Sequence, residues 1–204
     1  MYNKNIRIIV DAAAELPPIE NLHKFVAMGA DVVLFSGGKD IQGPQSSGLM
    51  VGKKDIISLC RLQGYPHHAI GRPMKLDKET IMGFVRAIEL YLQDDHLQRA
   101  KKWEEQVNYL LKGLSDIPHI QVFSGYPTQP LTQPATIPRI YVNFDEQALG
   151  LTKEDIAGKL YAGNPRIATV VEKKYLIINP HMLACGEEDT IIERIREIIT
   201  RNIN

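Results

Sequence analysis

Two short apolar runs near the start of the chain each end close to a reactive side chain. Residues 6–10 lead directly to Asp11, and residues 32–35 are followed four residues later by Lys39. Short runs rich in β-branched residues are typical of buried strands. Residues 17–29 have room for one helix between them. Because strand–helix–strand units are almost always right-handed and return the chain to the same edge, we expect two parallel strands with Asp11 and Lys39 at one sheet edge.

The rest of the chain changes from helical to mixed patterning. Asp77 is a candidate N-cap for a helix over residues 77–92, and residues 97–114 carry a second apolar 3–4 repeat. After Pro118 the pattern predicts strands and two further helices, at residues 120–123, 139–144, 152–161, 167–171, 175–178 and 187–199. This order predicts an α+β module with helices on one face of a small antiparallel sheet.

These patterns divide the chain into three parts. Residues 1–76 form an α/β unit, residues 77–116 form connecting helices, and residues 117–204 form a small C-terminal α+β domain. Residues 127–138 contain four prolines and are interpreted as an extended loop.

Composition narrows the class of protein. Lys plus Arg and Asp plus Glu both total 24, so no net field favours nucleic acid or an anionic membrane. The two cysteines, Cys60 and Cys185, are too few and too far apart for a zinc cluster or a disulfide framework. No apolar stretch approaches the length of a membrane span, and the start lacks the apolar region of a signal peptide. We expect a cytoplasmic protein that binds no metal.

The pairing of a lysine with an acid suggests a specific cofactor. Open α/β sheets bind ligands at the carboxyl ends of their strands. Pyridoxal phosphate is held there by a lysine as a Schiff base and is tuned at its ring nitrogen by an acid. Such a lysine needs to be desolvated or close to other cations, so we expect Lys39 to lie in a crevice. A phosphate-binding P-loop is excluded because Val33 and Asp40 stand where that motif needs Gly and Ser or Thr.

Each candidate residue also has a structural interpretation. Asp11 and Ser36 are equally suited to turns, although Ser36 is placed to bind a phosphate group. Arg72, in a Gly-Arg-Pro loop, and Arg166, in Gly-Asn-Pro-Arg, are either surface residues or anion-binding residues for a substrate. The adjacent histidines at 67–68 have no spaced partner for a metal and are interpreted as unliganded.

Four motifs together resemble one branch of the fold-type-I pyridoxal-phosphate enzymes. That branch includes L-seryl-tRNA(Sec) selenium transferase and D-glucosaminate-6-phosphate ammonia-lyase. The motifs are Asp-Ala-Ala-Ala-Glu-Leu-Pro-Pro at 11–18, Phe-Ser-Gly-Gly-Lys at 35–39, Gly-Pro-Gln-Ser-Ser-Gly at 43–48 and Gly-Arg-Pro-Met-Lys at 71–75. The resemblance implies an aspartate aminotransferase-like large domain, of which this chain is the C-terminal part, followed by the family's small domain.

The resemblance also implies residue roles. Lys39 would carry pyridoxal 5'-phosphate, Asp11 would pair with the ring nitrogen, and Ser36 would help to hold the phosphate. Gly43 would lie near the cofactor and the dimer interface of a homo-oligomer. Arg72 and Arg166 would be weaker candidates for binding a small amino substrate.

The family's chains are about twice as long, and their front half supplies the glycine-rich phosphate loop and the residue stacked on the ring. We therefore expect an incomplete cofactor site, little activity from this chain alone and an exposed apolar sheet edge. The preferred reaction is elimination of ammonia from a phosphorylated amino-sugar acid. The alternatives are a selenium transferase acting on seryl-tRNA, a non-catalytic remnant or oligomerisation partner, and an unrelated α/β nucleotide binder.

Overall fold

A computed structural model describes residues 6–128 and 134–203. The chain divides into two compact units, Met1–His96 and Leu97–Asn204. The boundaries expected from the sequence lie at residues 76 and 116. One of the two expected connecting helices belongs to the first unit, and the other belongs almost entirely to the second.

The first unit is an α/β arrangement around a three-stranded sheet. Its elements are β1 Ile9–Asp11, α1 Asn21–Ala27, β2 Val32–Ser36, β3 Gly48–Gly52, α2 Lys54–Gln63 and α3 Lys78–Gln93, with a 3-10 turn at Arg72–Met74. The strand order is β1-β2-β3, with β1 parallel and β3 antiparallel to β2. The predicted parallel strand–helix–strand unit is thus confirmed.

Local chemistry explains where the helices of this unit begin and end. Helix α1 ends at Ala27, and Gly29 follows with a φ of +111°, a conformation that glycine adopts without strain. The Asp77 carboxylate accepts a hydrogen bond of 2.6 Å from the backbone N–H of Thr80, which confirms Asp77 as the N-cap of α3.

Strand β1 differs from the expected buried strand. It comprises only three residues, and Ile9 is 66% exposed within it. Ile6 and Ile8, which precede it, are also exposed. The apolar residues of this run are suited to burial. In the described residues, however, β1 is an edge strand that pairs on one side only, with β2. The predicted exposed apolar sheet edge is therefore confirmed.

The core of the first unit lies between β2, α1 and α3. Buried side chains from these elements and from the turn after β1 form one cluster, comprising Ala12, Leu16, Leu22, Ala30, Val33, Phe35, Ile41 and Tyr91. Phe84 and Ile88 of α3 pack against it, whereas Ile81, Val85 and Leu92 of the same apolar stripe remain 40–55% exposed.

The second unit is an α+β module. Its elements are α4 His96–Leu114, β4 Ile120–Gly125, β5 Arg139–Phe144, α5 Glu146–Leu149, α6 Lys153–Tyr161, β6 Val170–Glu172, β7 Tyr175–Ile178 and α7 Glu187–Ile203. The sheet has the order β4-β5-β7-β6, and all three pairs are antiparallel, as the sequence predicted. The hairpin expected at 167–171 begins later, at Val170.

Side chains of β5 alternate between the two faces of the sheet, and the helices of the second unit pack on the face that carries the aliphatic residues. Ile140, Val142 and Phe144 of β5 join a core built with α4, α6 and α7. Tyr141, between them, stacks with Phe123 on the other side, with ring centroids 5.2 Å apart. Within residues 6–128 and 134–203, no helix is long and apolar enough to cross a membrane, and no cluster of three metal-ligating side chains occurs.

Candidate functional site

The carboxyl edge of the parallel β1–β2 pair brings the main candidate residues together. Asp11 is the last residue of β1 and lies opposite Leu34 of β2. Ser36 is the last residue of β2, and Lys39 follows three residues later in the loop to β3. Because the two strands are parallel, an acid, a hydroxyl and an amine lie at one edge of the sheet, where α/β folds bind ligands.

Asp11 is exposed at this edge and is held in a turn. Its carboxylate accepts a hydrogen bond of 3.0 Å from the backbone N–H of Ala13. Ala12 is buried beside it, and the small side chains of Ala13 and Ala14 are half-buried. The structural role weighed for Asp11, that of a turn residue, is therefore present.

Lys39 is exposed, which corrects the expectation of a desolvated lysine. The chain turns so that Lys39 points outward while Gly37 and Asp40, on either side, are buried. In the described part of the chain, no ion pair or hydrogen bond engages the Lys39 amine. An exposed primary amine in this position is accessible to an aldehyde.

The loop that carries Lys39 is closed by its own backbone. Gly37 donates its N–H to Ser47 at 2.9 Å, and Gly43 donates its N–H to the carbonyl of Gly37 at 2.7 Å. The side chain of Gln45 donates to the carbonyl of Gly38 at 3.0 Å. These bonds tie both ends of the 37–47 loop together, so Lys39 projects from a defined turn.

Close approach within the loop explains its glycines. A Cβ at Gly37 would collide with the Ser47 hydroxyl and lie 2.8 Å from the Phe84 ring. A Cβ at Gly38 would lie 2.7 Å from the Gln45 backbone, and one at Gly43 would lie 3.0 Å from the carbonyl oxygen of Gly37. Gly37 and Gly38 are therefore required for close packing within the chain.

The two candidate arginines lie elsewhere. Arg72 is half-buried in its 3-10 turn, with its guanidinium 4.7 Å from the ring centre of Tyr65. Lys75 lies 4.5 Å from the same ring, so two cations share one tyrosine. Arg166 is exposed in the second unit, 5.7 Å from the ring of Tyr161. Asp11, Ser36 and Lys39 thus belong to the edge of the β1–β2 pair, whereas Arg72 belongs to the turn between α2 and α3 and Arg166 belongs to the second unit.

Sequence reasoning missed a buried polar pair beside Lys39. The Tyr91 hydroxyl of α3 donates a hydrogen bond of 2.7 Å to the Asp40 carboxylate. Both residues are almost inaccessible, with 4% and 2% of their surface exposed. The available signal was an aspartate directly before an isoleucine that packs inward, together with a tyrosine three residues after Ile88 on the apolar stripe of α3.

An ionised carboxylate at the opposite end of β2 has a purely structural environment. Asp31 pairs with Lys53 at 2.8 Å and with Arg7 at 3.2 Å, and it accepts the backbone N–H of Ile8. The hydrogen bond from Lys53, followed by that from Ile8, lowers the pKa of Asp31 to about 2. The same pairing occupies the Lys53 amine, the nearest alternative lysine in the β3–α2 region.

Comparison with known proteins supports the motif-based resemblance. Residues 10–107 match the family model for L-seryl-tRNA selenium transferase. A 5'-C-glycyluridine monooxygenase-decarboxylase from Streptomyces is 31% identical over 197 residues, which cover 95% of this chain and 46% of that protein. A D-glucosaminate-6-phosphate ammonia lyase from Salmonella typhimurium is 32% identical over 203 residues, which cover 95% of this chain and 49% of that protein.

Solved structures agree with the fold. The structure of D-glucosaminate-6-phosphate ammonia-lyase matches with a TM-score of 0.74 at 31% identity, over 98% of this chain and 50% of that one. Cysteine desulfurase and aminotransferase structures at 14% identity share the fold alone. The chain thus spans about half the length of the relatives it matches. By these matches the chain is similar to the fold-type-I pyridoxal-phosphate-dependent enzymes of the selenium transferase and ammonia-lyase branch, over about half of their length.

Proposed function

We propose that this chain supplies the lysine-bearing part of a pyridoxal-phosphate-dependent lyase or transferase acting on a small amino compound. The observation that carries the proposal is the meeting of Asp11, Ser36 and Lys39 at the carboxyl edge of two adjacent parallel strands. A primary amine, an acid and a hydroxyl suit the aldehyde, the ring nitrogen and the phosphate of this cofactor, so the described residues fit that part of its site.

Each residue has a chemical task in this proposal. Lys39 would attach the cofactor through its ε-amino group and would then exchange a proton at Cα of the substrate. Asp11 would keep the ring nitrogen protonated, and Ser36 would donate its hydroxyl to the phosphate. The bound cofactor supplies an electron sink for the negative charge that develops at Cα. Arg72 and Arg166 remain candidates for binding a substrate anion.

The substrate class follows from the relatives' names. The ammonia lyase is named for an amino-sugar acid phosphate, the monooxygenase-decarboxylase for a glycyl compound, and the transferase for a seryl compound. All three names contain an amino-acid group, although the reactions differ. We infer an amino-acid-type substrate, and ammonia elimination from a phosphorylated amino-sugar acid is the preferred reaction.

Covalent trapping tests the role of Lys39. The chain is incubated with pyridoxal phosphate, reduced with borohydride and mapped by peptide mass spectrometry. We expect the label on Lys39, because Lys53 is paired with Asp31 and Lys75 lies against the Tyr65 ring. The matched control is Lys39→Arg, which keeps the charge and removes the primary amine. A principal label on Lys53 or Lys75 would refute the assignment.

A further inference from the structure

A buried carboxylate that the proposed chemistry does not use lies directly beside Lys39. Asp40 follows Lys39 directly, and its side chain points inward at 2% exposure while that of Lys39 points outward. Removing a carboxylate from water is costly unless hydrogen bonds compensate. This unfavourable burial occurs at the residue adjacent to the Lys39 amine. Packing of an apolar core does not explain why a carboxylate is buried there.

One hydrogen-bond partner of Asp40 comes from a distant part of the first unit. Tyr91, near the end of α3, donates its hydroxyl to Asp40 at 2.7 Å across 51 residues of sequence. A hydrogen bond to a charged acceptor is stronger and more directional than one between neutral groups. The 37–47 loop is therefore joined to α3 at the position next to Lys39.

Tyr91 is itself fixed from its other side. His96 Nε2 lies 2.8 Å from the carbonyl oxygen of Tyr91, and the two rings meet edge to face with centroids 4.7 Å apart. Tyr91 is 4% exposed and belongs to the core cluster with Phe35 and Ile41. Its hydroxyl is consequently a rigid anchor rather than a mobile surface group.

The turn around Lys39 has a constrained backbone. The Lys39 carbonyl accepts a hydrogen bond of 2.9 Å from the N–H of Gln42, which adopts the left-handed conformation with a φ of 58°. That conformation is strained for a residue with a Cβ and persists only where neighbouring contacts enforce it. Asp40 and Ile41, buried between Lys39 and Gln42, provide those contacts.

We propose that Asp40 and Tyr91 are positioning residues that fix the direction in which Lys39 projects from its loop. The proposal rests on the proposed function of Lys39 and deepens it. An exposed lysine has many rotamers, so a defined backbone direction limits the volume that its amine searches and favours attack on one bound carbonyl.

The test compares Tyr91→Phe with Tyr109→Phe in the 204-residue chain. Both changes remove one hydroxyl that donates to an aspartate, but Tyr109 bonds Asp189 in the second unit. The first readout is the share of borohydride-trapped pyridoxal phosphate on Lys39 relative to Lys75 within each sample. The second readout is amide hydrogen exchange in residues 38–43, which needs no cofactor.

We expect Tyr91→Phe to lower the Lys39-to-Lys75 labelling ratio by about tenfold and to accelerate exchange in the loop by a similar factor, as loss of a hydrogen bond to a charged group allows. Tyr109→Phe should change neither. Asp40→Asn keeps an acceptor for the Tyr91 hydroxyl and should retain most of the Lys39-to-Lys75 labelling ratio of the unchanged chain. Asp40→Leu removes the acceptor and should lower that ratio.

The outcomes separate the two proposals. If Lys39 of the unchanged chain takes no label, the proposed function fails, and loop exchange in Tyr91→Phe still decides whether the hydroxyl fixes the turn. If Lys39 is labelled but Tyr91→Phe leaves both the ratio and the exchange unchanged, the positioning role is overturned. A parallel loss of label on Lys39 and Lys75 would also overturn it, because that result indicates a general effect on folding.

Discussion

Strand residues of the two units differ in how far they are removed from water. In the second unit, Ile140 and Val142 of β5 are completely buried against helices. In the first unit, Ile9 of β1 is 66% exposed, and helix α2 buries none of its residues while exposing Leu59 and Leu62. The unit with the candidate site therefore leaves more strand and helix surface unpaired than the unit without it.

This difference lies at the open edge of the first unit's sheet. Exposed apolar surface next to an open strand edge is typical of an interface or of a sheet that continues. The second unit therefore buries its strands more completely than the first unit does.

The largest expected effect concerns turnover. An exposed Lys39 lacks the water exclusion and the pre-positioned groups that provide much of an enzymatic rate. We expect ammonia release from D-glucosaminate 6-phosphate by this chain alone to be orders of magnitude slower than release by the full-length ammonia lyase. The assay measures both proteins side by side with saturating pyridoxal phosphate. Equal rates would show that the first unit is catalytically complete as it stands.

The next effect contrasts one isoleucine from each unit. Ile195→Ala removes a fully buried side chain of α7 and should lower the free energy of unfolding by about 2–5 kcal/mol. Ile9→Ala, at an exposed position, should change it by less than about 0.5 kcal/mol. The single tryptophan, Trp103, is buried in the second unit, so its fluorescence follows denaturant unfolding of that unit. Unfolding of the Ile9→Ala variant is monitored by circular dichroism. A large loss of unfolding free energy in this variant would mean that Ile9 is buried in solution.

A pH effect sharpens the comparison further. The lowered pKa of Asp31 means that its ion pairs stabilise the first unit above about pH 4, and that this contribution is lost as the pH falls towards 2. Asp31→Asn should reduce the acid sensitivity of β2 amide exchange over that interval. Asp116→Asn is the matched change in the second unit. Its partner Arg196 lowers the pKa of Asp116 as well, but Asp116 is 67% exposed and its pair is screened by solvent, so we expect a smaller change. Equal changes would contradict this ranking.

The smallest effect is a helix cap in the second unit. Thr152 accepts the N–H of Asp155 at 3.1 Å, and the Asp155 carboxylate accepts the N–H of Thr152 at 2.9 Å. Thr152→Ala should cost about 1 kcal/mol of unfolding free energy, whereas Thr152→Ser keeps the hydroxyl and should cost less. Denaturant unfolding followed by Trp103 fluorescence measures both. No loss from Thr152→Ala would indicate that the helix start is held by packing alone.

The sequence by itself determined the order of elements, the parallel strands that lead to Asp11 and Lys39, the cap at Asp77, and the family resemblance. These features depend on residues close in sequence, on strand and helix periodicity and on short motifs, so they can be inferred without knowing which distant surfaces meet.

Only the tertiary structure decided which of those residues are buried. It exposed Lys39 and Ile9, assigned Gly37 to packing against Ser47 and Phe84, and paired Asp40 with Tyr91. A sequence pattern states that a residue is suited to burial, but burial itself depends on whether another element covers it. The Asp40–Tyr91 bond joins residues 51 positions apart, and no local pattern fixes such a distance before the chain has folded.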